Sequence, residues 1–485
     1  MNKTDIRSLE PKALWNCFYD ITQVPRPSGK KKEIGEFVIN FGKSLGLETI
    51  QDEIGNVLIR KPASPGKEGN KGVVLQSHLD MVPQKNNDVN FNFDTDAIKA
   101  YVDGDWVTAD GTTLGADNGI GMAAAMAVLA DKTLQHPAIE AFFTVDEETG
   151  MYGAFGLQPD FLKGEILINM DSEDEGELYV GCAGGIDVNA SFRYFEVAVP
   201  DGDIAIKVNL TGLKGGHSGC DIHLQRANAN KLMFRFLKEA VADFGARLSS
   251  IEGGSLRNAI PREAVAIITI PADNYDEIQD LVADYEDLFI EEYAGVEGNI
   301  QFTATEITPL PAGLIPEEIQ DDLIHAITAC PNGVTRIIPE VPGVMETSNN
   351  LAFVKSDGNK IVVQCLTRSS VESRKDELAS MISSVFSLAG AKVELAGGYP
   401  GWKPNLDSQI LKTMTAVYEK KWNVTPKVMI IHAGLECGIL GRNYPKMDMI
   451  SFGPTIRHPH SPDEKIDIST VVKFWDFLVA TLAEL

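Results

Sequence analysis

Short apolar runs that end in polar or acidic residues recur along the first part of the chain. They are residues 73–77 before His78, residues 138–145 before an acidic triplet, and residues 165–170 before Asp171. Runs of this length that are rich in β-branched and aromatic residues predict buried strands. Residues 120–131 are small and apolar on nearly every side, which predicts a buried helix. Strands that alternate with helices and carry an acid at their exit indicate an α/β sheet with a site at the strand ends.

The chain before this region predicts two amphipathic helices within residues 8–48, separated by a Pro- and Gly-containing turn at 24–29. Strands are expected at about 49–60 and 72–79. After a polar loop, the segment Thr113-Leu114-Gly115-Ala116-Asp117-Asn118-Gly119 opens the small-residue helix. This first part, residues 1–186, therefore predicts one α/β domain with a mixed sheet flanked by helices.

From about residue 187 the pattern changes to a β-α-β-β-α-β rhythm that occurs roughly twice. Helices are expected near residues 225–244, 273–293, 315–329 and 372–389. Strands are expected near residues 187–199, 204–211, 263–270, 298–306, 349–355, 361–367 and 391–396. We predict an inserted α+β domain over residues 187–398, built from two similar halves. The α/β pattern then resumes over 399–485, with helices at 407–421 and 468–483 and strands at 427–431 and 447–452.

Composition narrows the class of protein. A chain of 485 residues is long enough for two or three domains. The 69 Asp and Glu against 43 Lys and Arg give a formal net charge of −26, which argues against nucleic acid as a partner.

Cysteine usage and the N-terminal segment bear on location. The six cysteines form no C-x-x-C pair, which favours reduced thiols in a cytosol. The N-terminus has no signal-peptide pattern, and no apolar run approaches the roughly 18 residues that cross a bilayer. We expect a cytoplasmic protein without a membrane partner.

Side chains at the strand ends and turns supply candidate metal ligands, which are His78, Asp117, Glu148, Asp171 and His460. His78 and Asp80 are two residues apart, so in an extended chain they point to the same face. A carboxylate beside a metal-bound imidazole fixes the tautomer and the orientation of the ring. Each residue also has a structural explanation: a His–Asp hydrogen bond without metal, a helix cap for Asp117, a turn cap for Asp171, or a surface position for His460.

The acidic triplet is harder to explain structurally. Asp146, Glu147 and Glu148 follow an apolar run and would repel one another in low-dielectric surroundings unless cations neutralise them. Two imidazoles and three carboxylates suit zinc, manganese or cobalt better than calcium. With one carboxylate shared, this set is sufficient for two ions roughly 3.5–4 Å apart.

Eight motifs in order along nearly the whole chain now carry a family resemblance. They are SHLDMVPQKN, TLGADNGIG, TVDEETGM, LINMDSEDEGE, GLKGGHSG, RNAIPRE, HAGLECG and FGPTIRHPHSPDE. The chain resembles the M20 metallopeptidases, and within them most closely the bacterial aminoacyl-histidine, or cytosolic non-specific, dipeptidases. The resemblance implies a catalytic domain of the zinc-peptidase type and an inserted lid domain.

The resemblance also implies roles for the candidate ligands. His78 and Asp171 would hold one divalent ion, Glu148 and His460 the other, and Asp117 would bridge them. His460 rather than His458 is chosen because the family's ligand precedes a Ser-Pro-Asp-Glu segment. The cofactor would be two divalent metal ions, with zinc preferred and manganese or cobalt as alternatives.

Catalytic roles follow from the same resemblance. Asp80 would orient the imidazole of His78 without binding metal. Glu147 would be the general base that takes a proton from the attacking water and returns it to the leaving amine. In the lid, His217 resembles the family histidine that stabilises the tetrahedral oxyanion. Without the resemblance, a histidine in a flexible glycine turn would be the favoured explanation.

Three further residues are candidates for substrate binding. Asn258 and Arg368 match lid positions that contact substrate in relatives, and Arg suits the C-terminal carboxylate of a dipeptide. A solvated surface arginine explains Arg368 nearly as well. Glu436 follows a predicted strand and is a candidate for binding the substrate's amino group, on charge and placement alone.

The resulting expectation is a metal-dependent dipeptidase that hydrolyses unblocked dipeptides, including Xaa-His types such as β-alanyl-histidine. Other M20 activities remain alternatives: tripeptide aminopeptidase, carboxypeptidase and N-acyl amino acid deacylase. A metal-binding protein without catalysis is a further alternative, although it would have no need of a free acid beside Glu148. The expected partner is a small peptide substrate, and the sequence leaves a monomer and a homodimer open.

Overall fold

The computed structural model describes residues 5–339, 341 and 343–485, so the first four residues of the N-terminal segment, which is expected not to be a signal peptide, lie outside it. Its α-helices, in chain order, are α1 Lys12–Thr22, α2 Lys31–Ser44, α3 Ala116–Ala130, α4 Tyr152–Gly156, α5 Ala229–Phe244, α6 Tyr275–Glu292, α7 Glu317–Ala329, α8 Glu372–Leu388, α9 Gln409–Trp422, α10 Glu436–Asn443 and α11 Ile468–Glu484. Short 3₁₀ turns cover Ile6–Ser8, Ile222–Leu224 and Ala272–Asn274.

The strands, in chain order, are β1 Glu48–Gln51, β2 Val57–Lys61, β3 Val73–His78, β4 Ala100–Asp103, β5 Trp106–Ala109, β6 Ile139–Thr144, β7 Ile166–Asn169, β8 Glu177–Cys182, β9 Gly184–Arg193, β10 Asp203–Thr211, β11 Gly216–His217, β12 Arg247–Gly253, β13 Ala259–Ile260, β14 Ala264–Pro271, β15 Gln301–Ile307, β16 Gly333–Ile337, β17 Met345–Asp357, β18 Lys360–Ser369, β19 Lys392–Tyr399, β20 Lys427–Ile431, β21 Asp448–Ser451, β22 Ile456–Arg457 and β23 Lys465–Asp467. In the described part of the chain no helix is long and apolar enough to span a membrane.

The chain folds into two compact units. The first contains the residues up to Gly181, Trp402–Ile430 and Leu435–Leu485. The second contains Cys182–Gly401 and Ile431–Gly434. The second unit is therefore an insertion into the first, and the four residues 431–434 are added to it from the returning chain.

The first unit is built on an eight-stranded mixed sheet with the order β1-β2-β6-β3-β7-β21-β8-β20. The neighbours β6, β3, β7 and β21 run parallel, whereas β1 and β2 pair antiparallel at one side. Parallel neighbours place their carboxyl ends at the same edge of the sheet. This edge therefore collects the polar residues that follow β3, β6 and β7.

Helix α3 is almost entirely buried and packs against α1 and β3. Its small residues allow this close approach, because a Cβ atom at Gly121 would lie 2.3 Å from the Asn118 Oδ1 atom and 2.8 Å from the Met170 carbonyl oxygen. The packing places the N-terminal turn of α3, which carries Asp117, beside the exits of β3 and β7.

A second, four-stranded sheet in this unit has the order β22-β23-β5-β4. β22 and β23 pair antiparallel, so residues 458–464 form the loop between them. His460 lies in this loop with φ at +60°, in the left-handed region that non-glycine residues adopt at a cost.

The second unit contains a nine-stranded antiparallel sheet with the main order β15-β10-β14-β12-β17-β18-β9-β19 and β16 paired to β17. The runs β15-β10-β14-β12 and β19-β9-β18-β17 share one topology. When the four strands of each run are numbered along the chain, both have the spatial order fourth, first, third, second. The two runs meet at the β12–β17 pair. Helices α5 to α8 pack on this sheet and share one apolar core with it, which includes Phe192, Phe236, Phe302 and Phe386.

The predicted fold class is confirmed: a mixed α/β sheet with helices, and a separate α+β domain with an antiparallel sheet. The expected strand at 49–60 is instead the antiparallel pair β1–β2, since residues 52–56 form the turn between the two strands. The sequence pattern does not predict β12, because Ser249, Ser250 and Gly253 interrupt its apolar alternation.

Candidate metal centre

The five candidate ligands lie together in the first unit. His78 is the last residue of β3, Glu148 follows β6, Asp171 follows β7, Asp117 lies in the first turn of α3, and His460 lies in the β22–β23 loop. The shared edge of the parallel strands explains three of these positions, and α3 and the hairpin bring the other two to the same edge.

The Asp117 carboxylate lies between the two imidazoles. Its Oδ1 atom is 3.0 Å from the His78 Nε2 atom, and its Oδ2 atom is 3.1 Å from the His460 Nε2 atom. One oxygen therefore faces each ring. A carboxylate in this position can bridge two cations, with each imidazole binding a different one.

Each imidazole also faces a second carboxylate. The His78 Nε2 atom is 3.3 Å from the Asp171 Oδ1 atom, and the His460 Nε2 atom is 3.0 Å from the Glu148 Oε2 atom. One ligand atom each from His78, Asp117 and Glu148 lie within 4.8 Å of one another. The centre thus divides into two groups of three side chains that have Asp117 in common.

The residues present fit a pair of divalent cations. Hydrogen bonds with Asp117 and Glu148 raise the pKa of His460 to about 11, so a proton is held where a cation would bind. Burial alone would lower the pKa of His78, but the carboxylates of Asp171 and Asp117 raise it well above its ordinary value. The Oε1 atom of Glu148 is buried and has no hydrogen-bond partner among the described residues. Imidazole nitrogens with carboxylate oxygens suit zinc, manganese or cobalt.

Asp80 lies behind the His78 ring. The His78 Nδ1 atom is 3.1 Å from the backbone oxygen of Asp80 and 3.5 Å from its Oδ1 atom. A proton on Nδ1 that is shared with these oxygens leaves the Nε2 lone pair directed at the centre. The other carboxylate oxygen of Asp80 accepts a hydrogen bond from the Ser28 hydroxyl at 2.7 Å, which fixes its orientation.

Glu147 differs from its neighbour Glu148. Its backbone N–H donates to Asp80 Oδ1 at 3.0 Å, but its carboxylate has no hydrogen-bond partner among the described residues. Burial, together with the nearby carboxylates of Asp171 and Glu148, raises its pKa well above the ordinary value. A half-buried, unpaired carboxylate with a raised pKa has the properties of a general base.

Three residues at this centre are not predicted by the sequence analysis. The Asn118 side-chain amide donates to Asp171 Oδ1 at 2.5 Å and to the Met170 carbonyl oxygen at 2.7 Å, so it orients the Asp171 carboxylate. Arg26 and Glu464 are 2% exposed and contact the backbone around Asp117. Asn118 stands within the TLGADNGIG motif and Glu464 ends the FGPTIRHPHSPDE motif, whereas nothing in the sequence distinguishes Arg26 from a surface charge.

Glu436, expected to contact the substrate's amino group, is fully buried in the first unit. Its Oε2 atom accepts hydrogen bonds from the Gln76 side-chain amide and the Thr144 hydroxyl, each at 2.6 Å. Its Oε1 atom is buried without a hydrogen-bond partner among the described residues. Burial raises the pKa of Glu436 to about 8. The carboxyl group therefore lies between β3 and β6, close to the strand ends.

His217, Asn258 and Arg368 belong to the second unit and lie close together there. The Ser218 backbone N–H donates to the Asn258 carbonyl oxygen at 2.8 Å, and the Ser218 hydroxyl is 3.4 Å from two nitrogens of Arg368. Arg368 is 4% exposed and donates to the Tyr399 hydroxyl at 2.7 Å. It is therefore a buried, positioned guanidinium and not a solvated one.

The protonation state of His217 follows from its neighbours. Its Nδ1 atom accepts backbone N–H groups from Gly219 at 3.2 Å and Cys220 at 3.0 Å. Burial and the positive charge of Arg368 lower the pKa of His217 to about 4. The ring is neutral near pH 7, and its proton is on Nε2, which has no hydrogen-bond partner among the described residues and can donate to an anion.

Comparison with known proteins identifies the family. The model of peptidase family M20/M25/M40 matches residues 74–484. Cytosol non-specific dipeptidase from Escherichia coli is 47% identical over 482 residues, which cover 99% of both chains. The crystal structure of aminoacylhistidine dipeptidase from Vibrio alginolyticus is 49% identical with a TM-score of 0.92, over 99% of this chain and 98% of that one.

A more distant solved structure shares the fold. Aminopeptidase PepT from Bacillus cereus is 18% identical with a TM-score of 0.57, over 98% of this chain and 99% of that one. The family model covers most of the chain, and full-length relatives are nearly half identical to it. The chain therefore belongs to peptidase family M20/M25/M40.

Proposed function

We propose that this chain is a metal-dependent dipeptidase that hydrolyses unblocked dipeptides, including Xaa-His dipeptides such as β-alanyl-histidine, in the cytoplasm. The observation that carries the proposal is the Asp117 carboxylate, with one oxygen directed at each of two imidazoles. The substrate class and the location rest on the relatives, whose names are cytosol non-specific dipeptidase and aminoacylhistidine dipeptidase.

Two divalent cations would be held by the two groups of side chains. His78 and Asp171 would hold one, His460 and Glu148 the other, and Asp117 both. When bound, the cations supply Lewis acidity, which polarises the scissile carbonyl and makes a water molecule easier to deprotonate. Zinc is proposed, with manganese or cobalt as alternatives, because the donors are imidazole nitrogens and carboxylate oxygens.

Glu147 is the proposed general base. One oxygen of its carboxylate would take a proton from the attacking water and later give it to the amine nitrogen of the leaving amino acid. The absence of other hydrogen bonds to this carboxylate among the described residues leaves it free for both transfers. The hydrogen bond from its backbone N–H to the Asp80 carboxylate holds the Glu147 backbone, and hence the base of its side chain, in place.

The second unit supplies the proposed binding groups. The Nε2–H of His217 would donate a hydrogen bond to the oxyanion of the tetrahedral intermediate. Arg368 would bind the C-terminal carboxylate of the dipeptide, and the exposed Asn258 would contact the peptide. For the amino group the proposal keeps Glu436, because its buried Oε1 atom has no hydrogen-bond partner among the described residues and could accept one from the substrate. A Glu436→Gln variant with an unchanged KM would exclude that last role.

A panel of substrates tests the proposal. The zinc-loaded protein is incubated with carnosine, Gly-Leu, a tripeptide and an N-acyl amino acid, and free amino acids are quantified. Hydrolysis of the two dipeptides with little turnover of the others is the expected result. Preference for the tripeptide or the N-acyl compound would reassign the chain to another activity of its family, and inertness towards all four would refute the proposal.

A further inference from the structure

The turn that carries Asp117 is held by a buried carboxylate. Four consecutive backbone N–H groups donate to Glu464: those of Leu114 and Gly115 to Oε2 at 2.8 Å each, and those of Ala116 and Asp117 to Oε1 at 2.7 and 3.2 Å. Every hydrogen-bond donor of this turn, residues 114–117, therefore points at one side chain. We call this segment the Asp117 turn.

A buried guanidinium holds the opposite side of the same turn. Arg26 Nη2 donates to the Gly115 carbonyl oxygen, and Arg26 Nη1 donates to the carbonyl oxygens of Leu79 at 3.1 Å and Asp80 at 2.8 Å. Leu79 and Asp80 directly follow His78. Arg26 therefore ties the Asp117 turn to the strand exit that carries the histidine facing Asp117.

Two glycines provide the space for this guanidinium. A Cβ atom at Gly115 would lie 2.5 Å from the Arg26 Nη2 atom, and a Cβ atom at Gly119 would lie 2.7 Å from it. Gly115 also has φ at +70°, in the left-handed region that favours glycine. Both glycines of the LGADNG stretch are thus explained by the position of Arg26.

The backbones of both charged residues are hydrogen-bonded to other segments of the first unit. The Arg26 carbonyl oxygen accepts the Met81 backbone N–H at 3.1 Å. The Glu464 carbonyl oxygen accepts the Thr108 hydroxyl at 2.8 Å, and the next residue starts β23, which pairs with β5. Arg26 and Glu464 therefore link the Asp117 turn to two other segments of the first unit.

We infer that Arg26 and Glu464 are positioning residues for the metal centre, which hold the Asp117 carboxylate between His78 and His460 and thereby raise the affinity for both ions. This inference rests on the proposed function only in taking these side chains as metal ligands. Neither residue touches the reacting atoms. They act through the backbone of the Asp117 turn.

The direction of the change in metal affinity distinguishes a positioning role of Arg26 from a purely electrostatic effect of its charge. Removing the positive charge of Arg26 from a site that binds cations should strengthen metal binding if only electrostatic repulsion matters. If Arg26 holds the Asp117 turn in place, its removal should weaken binding. Arg26→Met keeps the length of the side chain and removes the charge and all donors, so the two explanations predict opposite results.

The test is a measurement of zinc affinity by competition with a chromogenic chelator, on purified protein, without reference to turnover. We expect Arg26→Met and Glu464→Gln each to weaken zinc binding by about 10–100-fold, the usual effect of losing a group that orients a metal ligand. Gly119→Ala keeps every charge but places a methyl group against the guanidinium, and it should weaken binding in the same direction.

Glu140, on β6 of the eight-stranded sheet, offers a matched control. It is 6% exposed and accepts the backbone N–H groups of Lys163 and Gly164 at 2.7 and 2.8 Å, and neither of these residues is a candidate metal ligand. Glu140→Gln should lower the melting temperature and leave zinc affinity within about twofold, as expected for a purely structural cap.

Three outcomes decide the inference. Wild-type or tighter zinc binding by Arg26→Met would overturn it, as would an equal loss of affinity in Glu140→Gln. If Arg26→Met does not fold, Gly119→Ala decides, and unchanged affinity in that variant overturns the inference. A wild-type protein that binds zinc at two sites but hydrolyses no peptide would refute the proposed function and leave this inference standing.

Discussion

The Asp80 carboxylate accepts a hydrogen bond from the backbone N–H of Glu147 at 3.0 Å. Asp80 also lies beside the Nδ1 atom of His78. One carboxylate therefore fixes both the imidazole that faces the metal centre and the start of the side chain that would act as base. The two proposed functions would thus be linked through a residue that is not one of the five candidate ligands.

Replacing the base should separate catalysis from metal binding. Glu147→Gln keeps the shape of the side chain but removes its ability to take up a proton at neutral pH, so kcat should fall by ~10²–10⁴-fold. Zinc content, measured by atomic emission on the purified variant, should remain at two equivalents.

The neighbouring residue is the control for this experiment. Glu148→Gln removes the carboxylate that lies 3.0 Å from His460 and should cost the protein one equivalent of zinc. If Glu147→Gln loses an ion while Glu148→Gln retains both, the roles of base and ligand have been interchanged.

His217→Ala should lower kcat by ~10²–10³-fold, the usual effect of removing one oxyanion donor. KM should change much less, because the hydrogen bond strengthens as the oxyanion forms. His223, an exposed histidine of the same unit, is the matched control, and His223→Ala should behave as wild type. Undiminished turnover in His217→Ala would remove this residue from the mechanism.

Arg368 should control recognition of the C-terminal carboxylate. Loss of a charge-assisted hydrogen bond costs about 1.5–3 kcal/mol, so Arg368→Ala should raise KM for a dipeptide by roughly 10–150-fold. The wild type should discriminate against the C-terminal amide of the same dipeptide, and the variant should not. Arg374→Ala, at an exposed arginine paired with Glu377, is the control. Retained discrimination in Arg368→Ala would contradict the assignment.

The buried carboxyl group of Glu436 should make the free energy of unfolding depend on pH. Burial raises its pKa to about 8 in the folded protein, so the folded state keeps a proton that the unfolded state releases at lower pH. The stabilisation of the folded state by this proton is fully present below the pKa that Glu436 has in the unfolded chain. It is lost as the pH rises through about 8.

Glu436→Gln mimics the protonated acid at every pH and removes this dependence. In metal-free protein, the melting temperature of the variant relative to wild type should therefore increase from pH 5 to pH 8. Thermal unfolding followed by circular dichroism checks this, with Glu33→Gln at an exposed position of α2 as the control. A constant difference across this pH range would show that burial does not raise the pKa of Glu436.

The sequence could predict the parallel-strand edge, since His78 and Asp171 each follow a short apolar run whose length and residue types identify a buried strand. The sequence could not predict that Arg26 and Glu464 contact the turn that carries Asp117. Their hydrogen-bond partners are backbone atoms of residues far away in the chain, and backbone groups leave no pattern of residue types.

The sequence also could not predict that the side chain of Glu436 is buried. Its charge and its position after a predicted strand favour a residue that lines the substrate pocket, but α10 begins at this point and directs the side chain between Gln76 and Thr144. Short strands such as β4 and β5 escaped prediction because runs of four residues carry too little periodicity to separate them from loops.

The arrangement around Asp117 is tested most directly by a crystal structure of the zinc-loaded protein with anomalous diffraction at the zinc edge. Two anomalous peaks about 3.5–4 Å apart are expected, with one beside His78 and Asp171 and the other beside His460 and Glu148. The Asp117 carboxylate should contact both. A single peak, or peaks that do not share Asp117, would contradict the two-ion centre.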